Sequence, residues 1–143
     1  MIHVAMPIER RHSAPSVLLP LTPAHYLRLR RVAAGLSVDA VARSISANNQ
    51  AEARALVMLL ETVGSTARYR ETVEAVADAF PIDIDVYFQL RDTPAEDHPR
   101  ICRGCGFSES DPCIAGDGSH TCDWCGPAMC SRCVTAPAAA VLQ

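Results

Sequence analysis

The sequence predicts a mainly α fold, a bundle of five short helices followed by a small cysteine-held module. Three observations predict it. Apolar residues recur three and four apart between Thr22 and Leu90, the period of packed helices. All seven cysteines fall between Cys102 and Cys133, leaving the first hundred residues to hold together by packing alone. Between the two lies RDTPAEDHPR (91–100), polar and interrupted by Pro94 and Pro99, which is linker composition. A chain of 143 residues, 49% hydrophobic, is long enough for a small core plus an appended unit.

The elements follow in order. Residues 1–21 scatter Pro7, Pro15 and Pro20 among isolated apolar residues without a sustained period, and an extended or disordered arm is expected there. Thr22 can cap a helix, Pro23 suits its first turn and Gly35 stops it, so a first helix is expected over 23–34. Ser37 is a second N-cap, and Val38, Val41, Ala42 and Ile45 define a short second helix. After the polar stretch 46–50, residues 51–63 predict a third helix. Its Ala53, Leu56, Val57, Leu59 and Leu60 cover more than one face, so it should be buried or shared with a partner. Val73, Val76, Ala77 and Phe80 mark a fourth helix over 69–80, which Pro81 ends. Asp83 starts a fifth through Ile84, Val86, Tyr87 and Leu90. The helical domain is thus 22–90, the linker 91–100, the cysteine module 101–133 and an alanine-rich tail, expected to be disordered, 134–143.

Net charge is −3, which argues against a protein that coats nucleic acid by bulk charge. Its distribution is uneven. Residues 22–62 carry Arg28, Arg30, Arg31, Arg43 and Arg54 against Asp39, Glu52 and Glu61, whereas acids outnumber arginines over 63–100. Any nucleic-acid face is expected on the first segment. No apolar run has the length of a signal peptide or a membrane span, so a cytoplasmic location without membrane contact is expected. In a reducing compartment, close cysteines are better read as metal ligands than as disulfides.

The cysteines read Cys102-x2-Cys105, Cys113, Cys122-x2-Cys125 and Cys130-x2-Cys133, with His120 among them. A C-x-x-C turn presents two thiolates to one tetrahedral ion, and two such turns close a structural zinc site. With only Ile101, Phe107, Ile114, Trp124 and Met129 as large apolar residues, this segment is too poor in core to fold unaided, so metal binding would supply its folding energy. Spacing leaves the pairing open: Cys102 and Cys105 can join Cys122 and Cys125, or Cys130 and Cys133. A second ion held by Cys113, His120, Cys122 and Cys125 is also compatible with it. Trp124 is read as a cap on the small core.

The stretch Leu29-Arg-Arg-Val-Ala-Ala-Gly-Leu-Ser37 with Val41-Ala42, then Leu60-Glu61 and the run from Tyr69 to Asp83, resembles lambda-repressor-like (Xre-type) helix-turn-helix domains over about 22–90. The resemblance implies a five-helix bundle whose third helix enters the major groove of DNA. By position, Asn48, Asn49, Gln50 and Arg54 would face bases, and Arg28, Arg31 and Arg43 would contact phosphates. The run Ile-Cys-Arg-Gly-Cys-Gly (101–106), Asp111-Pro-Cys113, Cys122-Asp-Trp124 and Met129-Cys-Ser-Arg-Cys133 is similar to a cysteine-rich tail in bacterial phage and prophage proteins. Positions matching Cys102, Cys105, Cys113, Cys122, Cys130 and Cys133 recur there, and that of Cys125 usually does not. This resemblance favours Cys102, Cys105, Cys130 and Cys133 as the main zinc ligands of a zinc-ribbon or knuckle-like module, with Cys113 and Cys122 as secondary candidates.

Together these readings predict a phage-type DNA-binding transcriptional regulator, with a homodimer as a further expectation. The apolar third helix and acidic second half point alternatively to an adaptor that binds a host protein such as RNA polymerase. An enzyme is not expected, because the five histidines are scattered and no nucleophile, base and orienting group fall together by spacing.

Overall fold

The computed structural model of the chain describes residues 18–113 and 121–135. The expected arm before Leu18, His120 and the tail after Thr135 lie outside the described residues. Among the described residues there are six α-helices: α1 (Pro23–Ala33), α2 (Val38–Ile45), α3 (Gln50–Leu60), α4 (Arg70–Ala77), α5 (Ile84–Asp92) and α6 (Ser131–Thr135). Two antiparallel bridges pair described residues with each other, Ile101 with Ser108 and Trp124 with Cys130. The protein is therefore mainly helical.

Local chemistry sets the helix ends. Thr22 Oγ1 accepts from the His25 N–H at 3.1 Å with Pro23 in the first turn, and Ser37 Oγ accepts from Ala40 N–H at 3.1 Å. Gly35, at φ 72°, makes the left-handed turn that closes α1. Asp83 caps α5 by accepting from the N–H groups of Asp85 and Val86 at 3.0 and 3.1 Å. Asn49 caps α3: its Oδ1 accepts from Glu52 N–H at 3.4 Å, and its Nδ2 donates back to the Glu52 carboxylate.

The core is one cluster. Tyr26 and Leu27 of α1, Val41 of α2, Val57 and Leu60 of α3, Val73 and Val76 of α4, and Val86, Tyr87 and Leu90 of α5 meet in it. The stripe Ala53, Val57, Leu60 is the buried face of α3. Each large apolar side chain buried this way contributes about 1.5–3 kcal/mol. Two tyrosines stitch loops to this core. The Tyr26 hydroxyl accepts from Asp83 N–H at 3.0 Å and the Tyr87 hydroxyl from Ala67 N–H at 2.8 Å. Burial pushes the Tyr26 phenol up to about 12, so it stays neutral.

A second buried interaction fixes α1 against the end of α3. Arg31 Nε and Nη2 donate to the two carboxylate oxygens of Glu61 at 2.6 and 2.8 Å, while Nη1 donates to Leu36 O at 2.8 Å. Helix α3 ends at Leu60, short of the expected 63, with Glu61 as its C-cap and Thr62 to Gly64, the last at φ 93°, in the turn beyond it.

The cysteine module does not hang free on its linker. Helix α5 runs on to Asp92, a 3-10 turn covers Ala95–Asp97, and Ile101 packs into the helical core. Arg30 of α1 is the main tie: its guanidinium lies 3.8 Å above the Phe107 ring, Nε donates to Pro81 O at 2.8 Å and Nη2 to Asp111 at 3.1 Å. Gly106, at φ 77°, permits that approach, because a Cβ there would stand 2.9 Å from Arg30 Cδ. Among the described residues, no helix is long and apolar enough to cross a membrane.

Candidate metal centre

Cys102 and Cys105 sit on a tight turn in which Gly106 N–H donates to Cys102 O at 2.8 Å and Cys102 N–H to Phe107 O at 2.8 Å. Cys130 immediately precedes α6 and Cys133 lies within it; Cys125 N–H donates to Met129 O at 2.8 Å and Cys133 N–H to Cys130 O at 3.1 Å. Arg103 N–H, donating to Ala128 O at 2.7 Å, draws the two turns together. The four sulfurs lie within 4.8 Å of one another and can hold a metal ion. Of the two pairings left open by spacing, the structure makes the outer one.

The geometry suits a tetrahedral ion. Metal–sulfur bonds of about 2.3 Å space the four sulfurs about 3.8 Å apart. Cys105 Sγ and Cys130 Sγ are 3.8 Å apart. Gly104 is part of the fit: a Cβ there would come within 2.7 Å of both Cβ and Sγ of Cys133, so the turn closes around the sulfurs only without a side chain at this position. Backbone N–H groups of Gly104 and Cys130 point at Cys102 Sγ at 3.4 and 3.3 Å, a second shell of donors for a thiolate.

Electrostatics make the same demand. The hydrogen bond from Cys105, followed by those backbone donors, lowers the Cys102 thiol to about 4. Its neighbours then resist ionisation: Cys105 is raised, first by its hydrogen bond to Cys102 and then by burial. Cys133 is pushed up to about 12 by burial and by its bonds to Cys130 and Cys102. A divalent ion held by the four sulfurs would stabilise the thiolate forms of Cys105 and Cys133 and displace their protons.

Cys113 and Cys122, the secondary ligand candidates, are joined as a disulfide. This corrects the expectation of thiolates throughout, since a disulfide sulfur has no anionic pair to give a metal. The physical reason is local: Cys122 N–H donates to Cys113 O at 2.7 Å, which lays the two backbones side by side with their Cα atoms 5.4 Å apart. Together with Cys130 they also form a second sulfur set within 4.8 Å. Cys125 is exposed and outside both sets. Trp124 is half-buried beside the cluster, as a cap would be, with Arg100 stacked 4.2 Å above its ring.

The residues expected at a DNA face divide into two groups. Arg31 is withdrawn from it, because its side chain is buried in the pair with Glu61 and cannot reach a phosphate. The Asn49 amide is engaged in capping α3. Arg28, Arg43, Asn48, Gln50 and Arg54 are exposed. Arg54 Nε donates to Asp39 at 2.7 Å, in a pair exposed on both sides. Sequence reasoning missed the tie made by Arg30, Phe107 and Asp111; only the loss of periodicity beyond α5 separates these residues in the sequence, and nothing local signals their meeting.

Comparison with family models, with curated proteins and with solved structures finds no match to this chain.

Proposed function

We propose that the protein is a DNA-binding regulator whose cysteine module is a structural zinc unit. The observation that carries the DNA reading is the placement of exposed hydrogen-bonding groups around the start of α3. Arg43 lies in the last turn of α2, Asn48 in the turn that follows, and Gln50 and Arg54, four residues apart, share one face of α3. Amide and guanidinium groups at the entry of a helix are the chemistry that reads adenine and guanine edges. The exposed Arg54–Asp39 pair contributes little stability, so its guanidinium can leave for a base at small cost. Zinc is proposed because four thiolates in a closed tetrahedral set are its usual structural environment. Cys102, Cys105, Cys130 and Cys133 would hold it, and its role would be to fold the module that packs against α1. No catalytic group is assigned.

Gel shifts of the full chain against a randomised duplex library test the reading. Specific binding is expected, steeply weakened by salt. Arg54→Ala should relax preference at one position by about 1–3 kcal/mol, and Arg43→Ala should weaken all sites alike. Absence of binding at low salt rejects the proposal.

A second reading rests on the other end of α3. Met58, Leu59 and Val63 are exposed apolar residues, and Ile45, Ala53, Ala55, Leu56 and Leu59 line a groove between α2 and α3. Such a face suits a protein partner or a second copy of the chain. A pull-down whose protein partners all vanish on nuclease treatment argues against an adaptor.

A further inference from the structure

Cys130 belongs to two sulfur groups at once. It is one of the four sulfurs of the candidate metal centre, and it forms the second set with Cys113 and Cys122. Its Sγ stands 3.5 Å from Cys113 Sγ, closer than the 3.8 Å to Cys105. Cys113 and Cys130 are both buried, so an external thiol has poor access to the Cys113 sulfur while the internal one is already in contact.

We propose that Cys130 exchanges with the Cys113–Cys122 disulfide, so that a bound metal ion and a Cys113–Cys130 disulfide exclude each other. The inference rests on the metal reading above. In the step, the Cys130 thiolate attacks Cys113 Sγ; the Cys113–Cys130 bond forms as the Cys113–Cys122 bond breaks. The electron pair leaves on Cys122 Sγ, which takes up the proton that Cys130 gave. One disulfide is present before and after, and no oxidant or reductant is consumed. The Cys122 N–H bond to Cys113 O keeps the leaving sulfur beside the pair, so the reverse step needs no rearrangement of the chain.

The two states differ in their capacity for metal. With Cys113–Cys122 joined, all four sulfurs of the centre are available. With Cys113–Cys130 joined, three remain, and a closed tetrahedral site cannot form. Conversely, an ion that coordinates Cys130 occupies the electron pair that the attack requires. Metal occupancy is thereby written into covalent connectivity, and release of the ion opens a path to the other disulfide.

The test uses the full-length protein carrying one disulfide, prepared with oxidised glutathione and then freed of it. Samples are equilibrated without oxygen, with a chelator or with zinc, quenched in acid, alkylated and cleaved at aspartate and tryptophan. Mass spectrometry reads the connectivity and elemental analysis the bound zinc. The expected result is a Cys113–Cys130 peptide in the metal-free sample that falls roughly a hundredfold with zinc at a hundred times its dissociation constant. Cys125→Ser should leave that response unchanged. Absence of the Cys113–Cys130 peptide in the metal-free sample, or an amount that bound zinc does not alter, overturns the exchange. A chain that binds no zinc fails the metal reading first and the exchange with it, whereas one that binds zinc with unaltered connectivity fails the exchange alone.

Discussion

The helical bundle and the cysteine module are held together by different physics. In the bundle, side chains from five helices and Ile101 fill one apolar core, and the Arg31–Glu61 pair and the hydroxyls of Tyr26 and Tyr87 are satisfied within it. In the module, the buried centre is mostly sulfur: Cys102, Cys105, Cys113 and Cys130, with Phe107, Trp124 and Met129 only partly buried around them. Burial of apolar surface is distributed over many contacts and fails gradually. A centre of four ligands fails when one ligand or the ion is lost. The bundle should therefore tolerate conservative substitution at most positions, and the module at almost none of its cysteines.

The largest effect expected from this contrast is that of metal removal. Chelation of the purified protein should abolish amide protection over 101–113 and 121–135 while leaving α1 to α5 protected, as hydrogen exchange with mass spectrometry will show. Structural zinc contributes on the order of 10–16 kcal/mol of apparent binding free energy in small modules, more than their packing can replace. Cys102→Ser should act in the same way. An ordered module after exhaustive chelation would break the contrast.

Next comes the bundle's own weak point. Glu61→Ala leaves the Arg31 guanidinium buried without its carboxylate, and should cost about 3–5 kcal/mol in denaturant unfolding. Metal content should not change. Replacing both partners by apolar residues of similar volume should restore most of the loss, because the penalty comes from the stranded charge.

These two regions were also unequally legible in the sequence. Helix caps at Thr22, Ser37 and Asp83, the glycine stop at Gly35 and the stripe Val73–Val76 act locally, so their spacing located all five helices of the bundle to within a few residues. The tail's C-x-x-C turns were legible for the same reason. Long-range pairing was not. Spacing alone left two partners open for Cys102 and Cys105, and it gave no sign that Cys113 and Cys122 pair with each other. Arg31 was assigned to the surface because charge is normally solvated; its burial depends on Glu61 arriving from thirty residues away.

Two glycines sharpen the comparison at smaller scale. Gly104→Ala would drive a Cβ into Cys133, and should weaken metal affinity about tenfold to a hundredfold, as loss of a ligand's positioning does elsewhere. Competition with a chromogenic chelator measures it. Gly35→Ala meets nothing within 4 Å, so its cost is only the left-handed backbone, about 1–2 kcal/mol in bundle stability with no effect on metal.

The smallest effect concerns the tie between the regions. Asp111 is 45% exposed where it meets the buried Arg30 side chain, and asparagine keeps an oxygen that can accept from Nη2, so Asp111→Asn should cost about 1 kcal/mol. Arg30 keeps Phe107 below it and Pro81 O beside it in that variant, and those contacts depend on shape more than on charge. The only tryptophan, Trp124, lies in the module, so its fluorescence reports that region while far-ultraviolet circular dichroism reports the helices. In the metal-loaded wild type and in Asp111→Asn, the two signals should change together with denaturant, as one cooperative unit does. Separation of the two transitions in Asp111→Asn would mean that the regions are joined mainly by this ion pair, and that the packing of Arg30 on Phe107 contributes little to their coupling.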